Sequence, residues 1–377
     1  MFRPDQIPAL RSHLSLALVP GLGSRLTAAL LERFGSAEAA LKASEADLQT
    51  IPFIGAGKAQ SFAESFRTVH VDAEIALLKK HDVGNLVRDH DGYPPRLAEI
   101  SSAPPLLYIR GALRPADERA VGIVGSRSCT GYGRKVTQQL AAGLARAGWT
   151  VVSGLARGID GVAHAAALEA GGRTIAVLAG GLSRIYPPEH KDLAERIVTQ
   201  GALLTETPMT VDPLPGMFPA RNRIISALSR GVVIIEANAK SGALITATHA
   251  GDQGRDVFVV PANVDAAASA GCLELLRKGA RLIRHVDDLL EDLQGLSPPP
   301  ANSPTAPTLV ERPPLALPPP EMSESHRQIW DALDRALSID ELSRLLPIAT
   351  SDLLIHIMQM ELKRLVRRLP GNRIERR

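Results

Sequence analysis

The spacing of apolar residues divides the chain into stretches of different character. From Leu14 to about Phe66 they recur at helical intervals, broken by short glycine-containing turns. Val19-Pro-Gly-Leu-Gly-Ser-Arg-Leu-Thr-Ala-Ala-Leu30 reads as a turn and then a helix, and Ile51-Pro-Phe-Ile-Gly-Ala-Gly-Lys-Ala-Gln-Ser-Phe62 repeats that shape. Each predicts a helix-hairpin-helix turn, whose glycines expose backbone N–H groups at a helix start. Such turns serve DNA contact in some small helical domains and only protein packing in many others.

Tyr93 to Gly111 is proline-rich and leads into a second pattern. Uninterrupted apolar runs at Val121–Val124, Thr150–Ser153, Thr174–Leu178, Ala202–Thr205, Val232–Glu236 and Val257–Val260 read as strands. Helical stretches such as Arg134–Ala147 and Gly161–Ala170 separate them, and a helix at Leu273–Lys278 with a strand at Arg281–Ile283 closes the series. Apolar strands alternating with helices predict a mainly parallel sheet covered on both faces, a doubly wound Rossmann-like α/β domain.

Ser297 to Pro320 holds ten of the 28 prolines and almost no charge, so it reads as a stiff exposed linker. After it, Ser323–Leu333 predicts a helix, Ser338-Ile-Asp-Glu341 a capping box opening a second, and Thr350 a cap for a third that runs to about Lys363. Arg367–Ile374 predicts a hairpin around Pro370-Gly371-Asn372. Three helices and a hairpin make a winged helix-turn-helix. Lys363, Arg364, Arg367, Arg368, Arg373, Arg376 and Arg377 load its end with positive charge, which fits DNA binding or a solvated tail on a protein-docking module. The expected domains are therefore 1–85 (helical), 86–292 (α/β core), 293–321 (linker) and 322–377 (winged helix).

Composition narrows the chemistry. With 377 residues, 45% of them apolar and 22% charged, the chain has ample material for a large core. Aromatics are only 3%, so few rings are available to stack on bases, and a net charge of +3 requires any nucleic-acid site to gather its cations locally. Two cysteines, Cys129 and Cys272, argue against a disulfide framework or a cysteine-rich zinc site. No signal peptide and no run of about 18 apolar residues is present, so the expected compartment is the cytosol without membrane insertion. No His/Cys/Asp cluster has metal-ligand spacing, and no metal or cofactor is expected.

The chemistry-bearing residues gather at strand ends, where open α/β sheets bind ligands. Gly125-Ser126-Arg127 follows the first core strand, but its spacing fits neither G-x-G-x-x-G nor the Walker loop. Ser153-Gly154-Leu155-Ala156-Arg157-Gly158-Ile159-Asp160 repeats a serine, glycine and arginine loop after the second strand. Phe218-Pro219-Ala220-Arg221-Asn222-Arg223 and Lys240-Ser241-Gly242 sit at the edges of later apolar runs. Arg127, Arg157, Arg221, Arg223 and Lys240 would bring five cations to one rim, beside hydroxyls and free N–H groups. That set suits phosphate. Glu206 and Glu236 end two strands there, for acid–base work, to hold Arg221 or Arg223, or to accept a base N–H. His164 pairs with Asp160, acts as a base or is a hydrogen-bonded packing residue. Cys129 has no evident partner base.

These blocks resemble, in order and spacing, the DNA-processing protein A (DprA, or Smf) family. The resemblance rests on Val121-Gly-Ile-Val-Gly-Ser-Arg-Ser-Cys-Thr-Gly-Tyr-Gly133, on Val152-Ser-Gly-Leu-Ala-Arg-Gly-Ile-Asp160 with His164, on Phe218-Pro-Ala-Arg-Asn-Arg-Ile-Ile225 and on Lys240-Ser-Gly-Ala-Leu-Ile-Thr-Ala247. It spans about residues 93–290, and the helical N-terminal part and the winged helix look like the family's accessory domains. Thr205, Pro261-Ala262 and Cys272 depart from the family's usual residues.

The resemblance implies a homodimeric, non-enzymatic protein that binds single-stranded DNA and loads the RecA recombinase during natural transformation. Its DNA groove would include Gly125, Ser126, Arg127, Arg157, Arg221, Asn222, Arg223, Lys240, Ser241 and Gly242, with Phe218 as a stacking face or a core residue. A more distant likeness, to enzymes that cleave nucleoside monophosphates, would instead make Glu206 or Glu236 a catalytic carboxylate. A third reading is a duplex-DNA regulator that works through the winged helix.

Overall fold

A computed structural model describes residues 7–294, 322–333, 337–346, 348–363, 365–369 and 373–376. They fall into two compact units, divided at residue 298. Residues 295–321 of the expected linker and the hairpin turn 370–372 lie outside the described residues.

The first unit opens with six helices: α1 Ile7–Leu18, α2 Ser24–Phe34, α3 Ala37–Leu41, α4 Glu45–Gln49, α5 Ala56–Thr68 and α6 Asp72–Lys80. Local chemistry sets their limits. Gly35 ends α2 in the left-handed region at φ 78°, and Ser44 with Asp47 forms a reciprocal capping box on α4. Leu16, Leu30, Leu48, Phe62 and Phe66 build a core private to these helices. Leu14, two residues from Leu16, packs instead against the sheet, with Ile75 and Leu78 of α6. One face of α1 thus belongs to the helical layer and another to the α/β core.

The core follows as β1 Gly84–Val87, α7 Pro95–Ala98, β2 Leu106–Gly111, β3 Ala120–Gly125, α8 Gly131–Arg146, β4 Thr150–Ser153, α9 Ile159–Glu169, β5 Thr174–Val177, α10 Lys191–Gln200 and β6 Ala202–Thr205. It continues through α11 Met217–Leu228, β7 Gly231–Ile235, α12 Gly242–Asp252, β8 Asp256–Val259, α13 Ala270–Arg277, β9 Arg281–Leu282 and α14 Val286–Gln294. Nine strands form one sheet in the order β1-β2-β6-β5-β4-β3-β7-β8-β9. The seven strands from β6 to β9 are mutually parallel, as the unbroken apolar runs predict. Val121 and Ile123 face one core and Ala120 and Val124 the other, so both sides of β3 are buried. The chain winds outward from β3 to β6 and then returns to place β7 on the other side of β3. The carboxyl ends of β3 and β7 therefore mark the switch point at which such sheets bind ligands.

Three differences from the sequence reading matter. β1 and β2 extend the sheet as antiparallel edge strands. Their short runs carry no helix-strand alternation, and prolines flank β2. The segment Lys191–Gln200 is a helix, α10, that the sequence reading left unassigned. Phe218–Arg223 is not a loop but the first half of α11. Pro219 is tolerated there because it stands in the first turn, where its missing N–H has no intrahelical partner.

In the second unit, α15 Glu324–Ala332, α16 Ile339–Leu345 and α17 Thr350–Leu362 pack with a sheet of β10 Leu337–Ser338, β12 Arg373–Arg376 and β11 Val366–Leu369. This is a winged helix around Ile329, Trp330, Leu342, Leu353, Ile357 and Ile374. Ser338 lies in β10, and the cap of α17 is Ala349 rather than Thr350. Of the expected basic end, Arg364 and Arg377 lie outside the described residues, and Arg376 is turned inward, donating to Trp330 O at 2.8 Å. The outward face of α17 carries Leu354, Ile355 and Met358 and no lysine or arginine.

The sheet constrains its switch point tightly. Gly125 pairs with Ile235, and a Cβ there would lie 1.8 Å from Ile235 O. Gly125→Ala must separate β3 from β7, at a cost of about 1–3 kcal/mol or more. We expect a lower thermal midpoint by circular dichroism and reduced soluble yield.

Candidate functional site

The loops after β3 and β4 lock together at the carboxyl edge. Ser126 O accepts from Ile159 N at 3.1 Å, and Ser126 Oγ accepts from Ser128 N at 3.2 Å. Gly158 adopts φ 72°, and a Cβ on it would meet Ser126 O at 2.2 Å, so glycine permits the close approach. The two glycine loops are therefore neighbours, as their positions in the sequence predict. The end of β7 clamps the first of them. Glu236 accepts from Thr130 N at 2.8 Å and from the Thr130 hydroxyl, while Thr130 itself caps α8. This carboxylate is buried and spent on the loop.

Above these loops runs a row of cations and rings. The Arg127 guanidinium carbon sits 4.9 Å over the Phe218 ring. Phe218 meets Tyr186 edge-on, with centroids 5.9 Å apart. Arg157 lies 5.7 Å over Tyr186 and binds Glu189 through two nitrogens, one of them at 3.1 Å. Arg127, Arg157 and Tyr186 are exposed, and with Phe218 they line one hollow floored by Gly154 and Gly180. Arg184 closes its side. Tyr186 and Arg184 escaped the sequence reading. Their signal was a ring beside an arginine in the proline-stiffened Arg184-Ile-Tyr-Pro-Pro188, in a chain with only four tyrosines.

Three consecutive side chains of α11 point to three different partners. Arg221 is 5% exposed and donates to Gly154 O at 2.7 Å and to Val177 O. Burial pushes its pKa down to about 10, a loss opposed by the Asp160 charge. Asn222 donates to Gly242 O at 3.3 Å, fixing the start of α12. Arg223 is gripped by both oxygens of Glu206 at 2.8 and 2.7 Å and also donates to Ser24 Oγ at 3.0 Å and Ser102 O at 3.1 Å. The expected five-cation rim is thus divided by burial. Arg127, Arg157 and Lys240 face solvent, whereas Arg221 and Arg223 are internal.

Lys240 stands at the second edge of the switch point, its N–H donating to Asn238 Oδ1 at 2.9 Å. Ser241 caps α12 by accepting from Ala243 N at 3.3 Å, and Gly242 opens that helix in the exposed turn. Behind the hollow, His164 does not pair with Asp160. Thr174 Oγ1 gives its proton to Val151 O, so His164 Nδ1 donates to Thr174 and Nε2 accepts from Leu155 N at 3.3 Å. Asp160 accepts from Gly154 N at 3.1 Å, and burial raises its pKa against the Arg221 charge. Cys272 Sγ accepts from Ala237 N at 3.3 Å. Glu206 is paired with Arg223 and Glu236 with Thr130, so neither carboxylate stands free at the edge.

Two outcomes follow from the buried groups. Arg223→Ala strands Glu206 and should cost about 3–5 kcal/mol in urea unfolding, whereas the apolar double replacement Arg223→Met with Glu206→Leu should recover most of it. Burial holds His164 neutral with a pKa of about 3, first by desolvation and then by the nearby His190 and Arg221 charges. The unfolded state, at about 6.5, binds a proton first. Stability from this group is therefore whole above pH 6.5 and is lost as pH falls towards 3. Unfolding at pH 5 should be easier by about 2 kcal/mol than at pH 7, and His164→Gln should flatten that part of the profile.

This chain is similar to known proteins over much of its length. The family description "DNA recombination-mediator protein A" matches residues 85–294, and "DprA winged helix domain" matches 313–372. Protein Smf of Synechocystis is 35% identical over 392 residues, covering 97% of this chain and 98% of that protein. DNA processing protein DprA of Bacillus subtilis is 40% identical, covering 58% of this chain and 74% of its own. Among solved structures, DNA processing protein A of Streptococcus pneumoniae superposes with a TM-score of 0.64 at 34% identity, over 75% of this chain and 96% of that one. The Helicobacter pylori DNA processing protein A, whose structure concerns its single-stranded DNA binding mode, gives 0.52 at 31% identity, over 57% and 97%. With its core matched along more than half of its length and one relative matched nearly end to end, the chain belongs to the DNA recombination-mediator protein A family, the DprA/Smf proteins.

Proposed function

We propose that this chain binds single-stranded DNA at the carboxyl edge of its sheet and passes it to the RecA recombinase during transformation or recombination. The observation that carries the reading is the row Arg127–Phe218–Tyr186–Arg157, which sets cations for phosphates beside rings for bases. The single-stranded DNA binding mode of the Helicobacter pylori relative supports it. Arg127, Arg157, Lys240, Phe218 and Tyr186 would touch the strand. Backbone N–H groups around Gly125, Ser126, Ser241 and Gly242 would add neutral donors. Arg221, Asn222 and Arg223 would act by shaping the edge.

A homodimer doubles such grooves and raises avidity for one strand. The domain division at residues 85, 292 and 321 belongs to the same reading, as does a role without catalysis or cofactor. The nucleotide-cleaving alternative is not favoured, because Glu206 is bound by Arg223 and Glu236 by Thr130.

Fluorescence anisotropy with labelled oligo-dT, against a duplex of equal length at two salt concentrations, tests the reading. The single strand should bind more tightly and lose affinity with salt. Arg127→Ala and Lys240→Ala should each lower the log–log salt slope by about 0.7. Tyr186→Ala should weaken binding by about 1–3 kcal/mol while leaving the slope unchanged. Equal affinity for the duplex would refute the assignment.

A further inference from the structure

The glycine turns of the N-terminal helices are a sequence motif that the rim leaves unused. The second turn holds out a ring. Phe53 is 69% exposed and adopts φ 71°, a left-handed conformation that is strained for a bulky side chain. Arg25, the second residue of α2, places its guanidinium carbon 4.6 Å over that ring. Lys58, in the first turn of α5, donates to Phe53 O at 3.3 Å. Two turns distant in sequence thus converge on one exposed ring with two cations. Arg25 and Lys58 are exposed as well.

This patch is connected to the rim. A cleft runs between the first glycine turn and the core, lined by Gly21, Gly23 and Ser24 on one side and by Ala179, Met217 and Arg221 on the other. Ala179 also lines the hollow under Arg127 and Phe218. The carboxylate in the cleft, Glu206, is already neutralised by Arg223 and so does not repel a phosphate chain. A strand leaving the hollow past Ala179 would enter the cleft and leave it at Ser24, whose neighbour Arg25 lies over Phe53.

We propose that Arg25, Phe53 and Lys58 form a second stacking station for the same single strand, reached through this cleft. The proposal rests on the reading of the rim as a single-stranded DNA site. It repeats the chemistry of the Arg127–Phe218 pair, a guanidinium over a ring, at the far end of a path whose only acid is paired. A ring kept for packing would be buried, and a ring kept to dock an apolar protein surface would not be roofed by a cation. A strained aromatic where glycine would sit more comfortably marks a side chain retained for what it touches.

The test separates the two stations by strand length, using the full chain and labelled oligo-dT of about six and about thirty nucleotides. Glycine relieves the left-handed strain, so Phe53→Gly should keep or raise the thermal midpoint. It should nonetheless weaken binding of the long strand roughly ten-fold and leave the short one unchanged. Lys58→Ala should act in the same direction, and Phe53→Tyr should bind like the parent. Arg127→Ala should weaken both lengths. If Phe53→Gly binds the long strand like the parent while Arg127→Ala weakens both, the second station is refuted and the rim stands. If Arg127→Ala changes neither length, the rim assignment fails and takes the second station with it.

Discussion

A guanidinium shut away from water must find acceptors, and the carboxyl edge of this sheet is organised around one that does. Arg221 reaches under the loop after β4 to Gly154 O and across to Val177 O at the end of β5. Asp160 supplies the countercharge and holds the Gly154 N–H. Gly154 has to be glycine, since a Cβ there would lie 2.4 Å from the guanidinium. The cost of burying the charge is visible in its lowered pKa, and it is met by hydrogen bonds rather than by an exposed ion pair. His164 braces the same loop from behind by accepting from Leu155 N, and His190 Nδ1 donates to Leu155 O at 2.9 Å. The floor of the hollow is therefore fixed before any ligand arrives.

That constraint sorts the charges of the edge. The acids nearest the site are consumed internally, Glu206 by Arg223 and Glu236 by the cap of α8. Arg127 and Lys240 are left facing water without a nearby carboxylate partner, and Arg157 shares only the exposed Glu189. A chain with a net charge of just +3 can thus present a locally cationic rim. Pairing acids inward does what a high overall charge would do, without the self-repulsion that accompanies it. The same pairing ties the helical layer to the core, because Arg223 also receives Ser24 Oγ as an acceptor.

The legible part of this design was the part written in spacing. The apolar runs give seven parallel strands, and the glycine-serine-arginine loops after β3 and β4 fall at the ends of neighbouring strands, where close backbone approach demands glycine. What spacing could not show was burial. Arg127 and Arg221 look equivalent as letters, yet one is exposed and the other is 5% exposed, because helix α11 turns its polar residues in three directions. The segment around Phe218 read as a loop because proline and polar residues interrupt its apolar pattern, whereas a proline in the first turn is compatible with a helix. Tyr186 was hidden for a different reason: it lies in an irregular stretch whose position follows from packing against Phe218, a contact across 32 residues that no local pattern encodes.

Scarcity makes the exposed rings informative. Aromatics form 3% of the chain, and most of its described rings are spent in cores, as with Phe62, Tyr108, Trp149 and Phe258. Three that reach the surface lie under arginines, Phe53 under Arg25, Tyr186 under Arg157 and half-buried Phe218 under Arg127, whereas exposed Tyr132 donates its hydroxyl to Pro261 O. An arginine held flat on a ring has surrendered much of its rotamer freedom in advance, so it loses less on meeting a phosphate than a free lysine would. The ring beneath keeps its edge and margin for a base. Under the proposed function, such a unit would hold a strand without reading base edges through fixed donors and acceptors. By contrast, the outward face of α17 offers Leu354, Ile355 and Met358 and neither lysine nor arginine, which gives that helix no electrostatic hold on a duplex. The pairs at Phe53, Tyr186 and Phe218 all lie on the first unit, while in the second unit Arg376 lies over the buried Trp330.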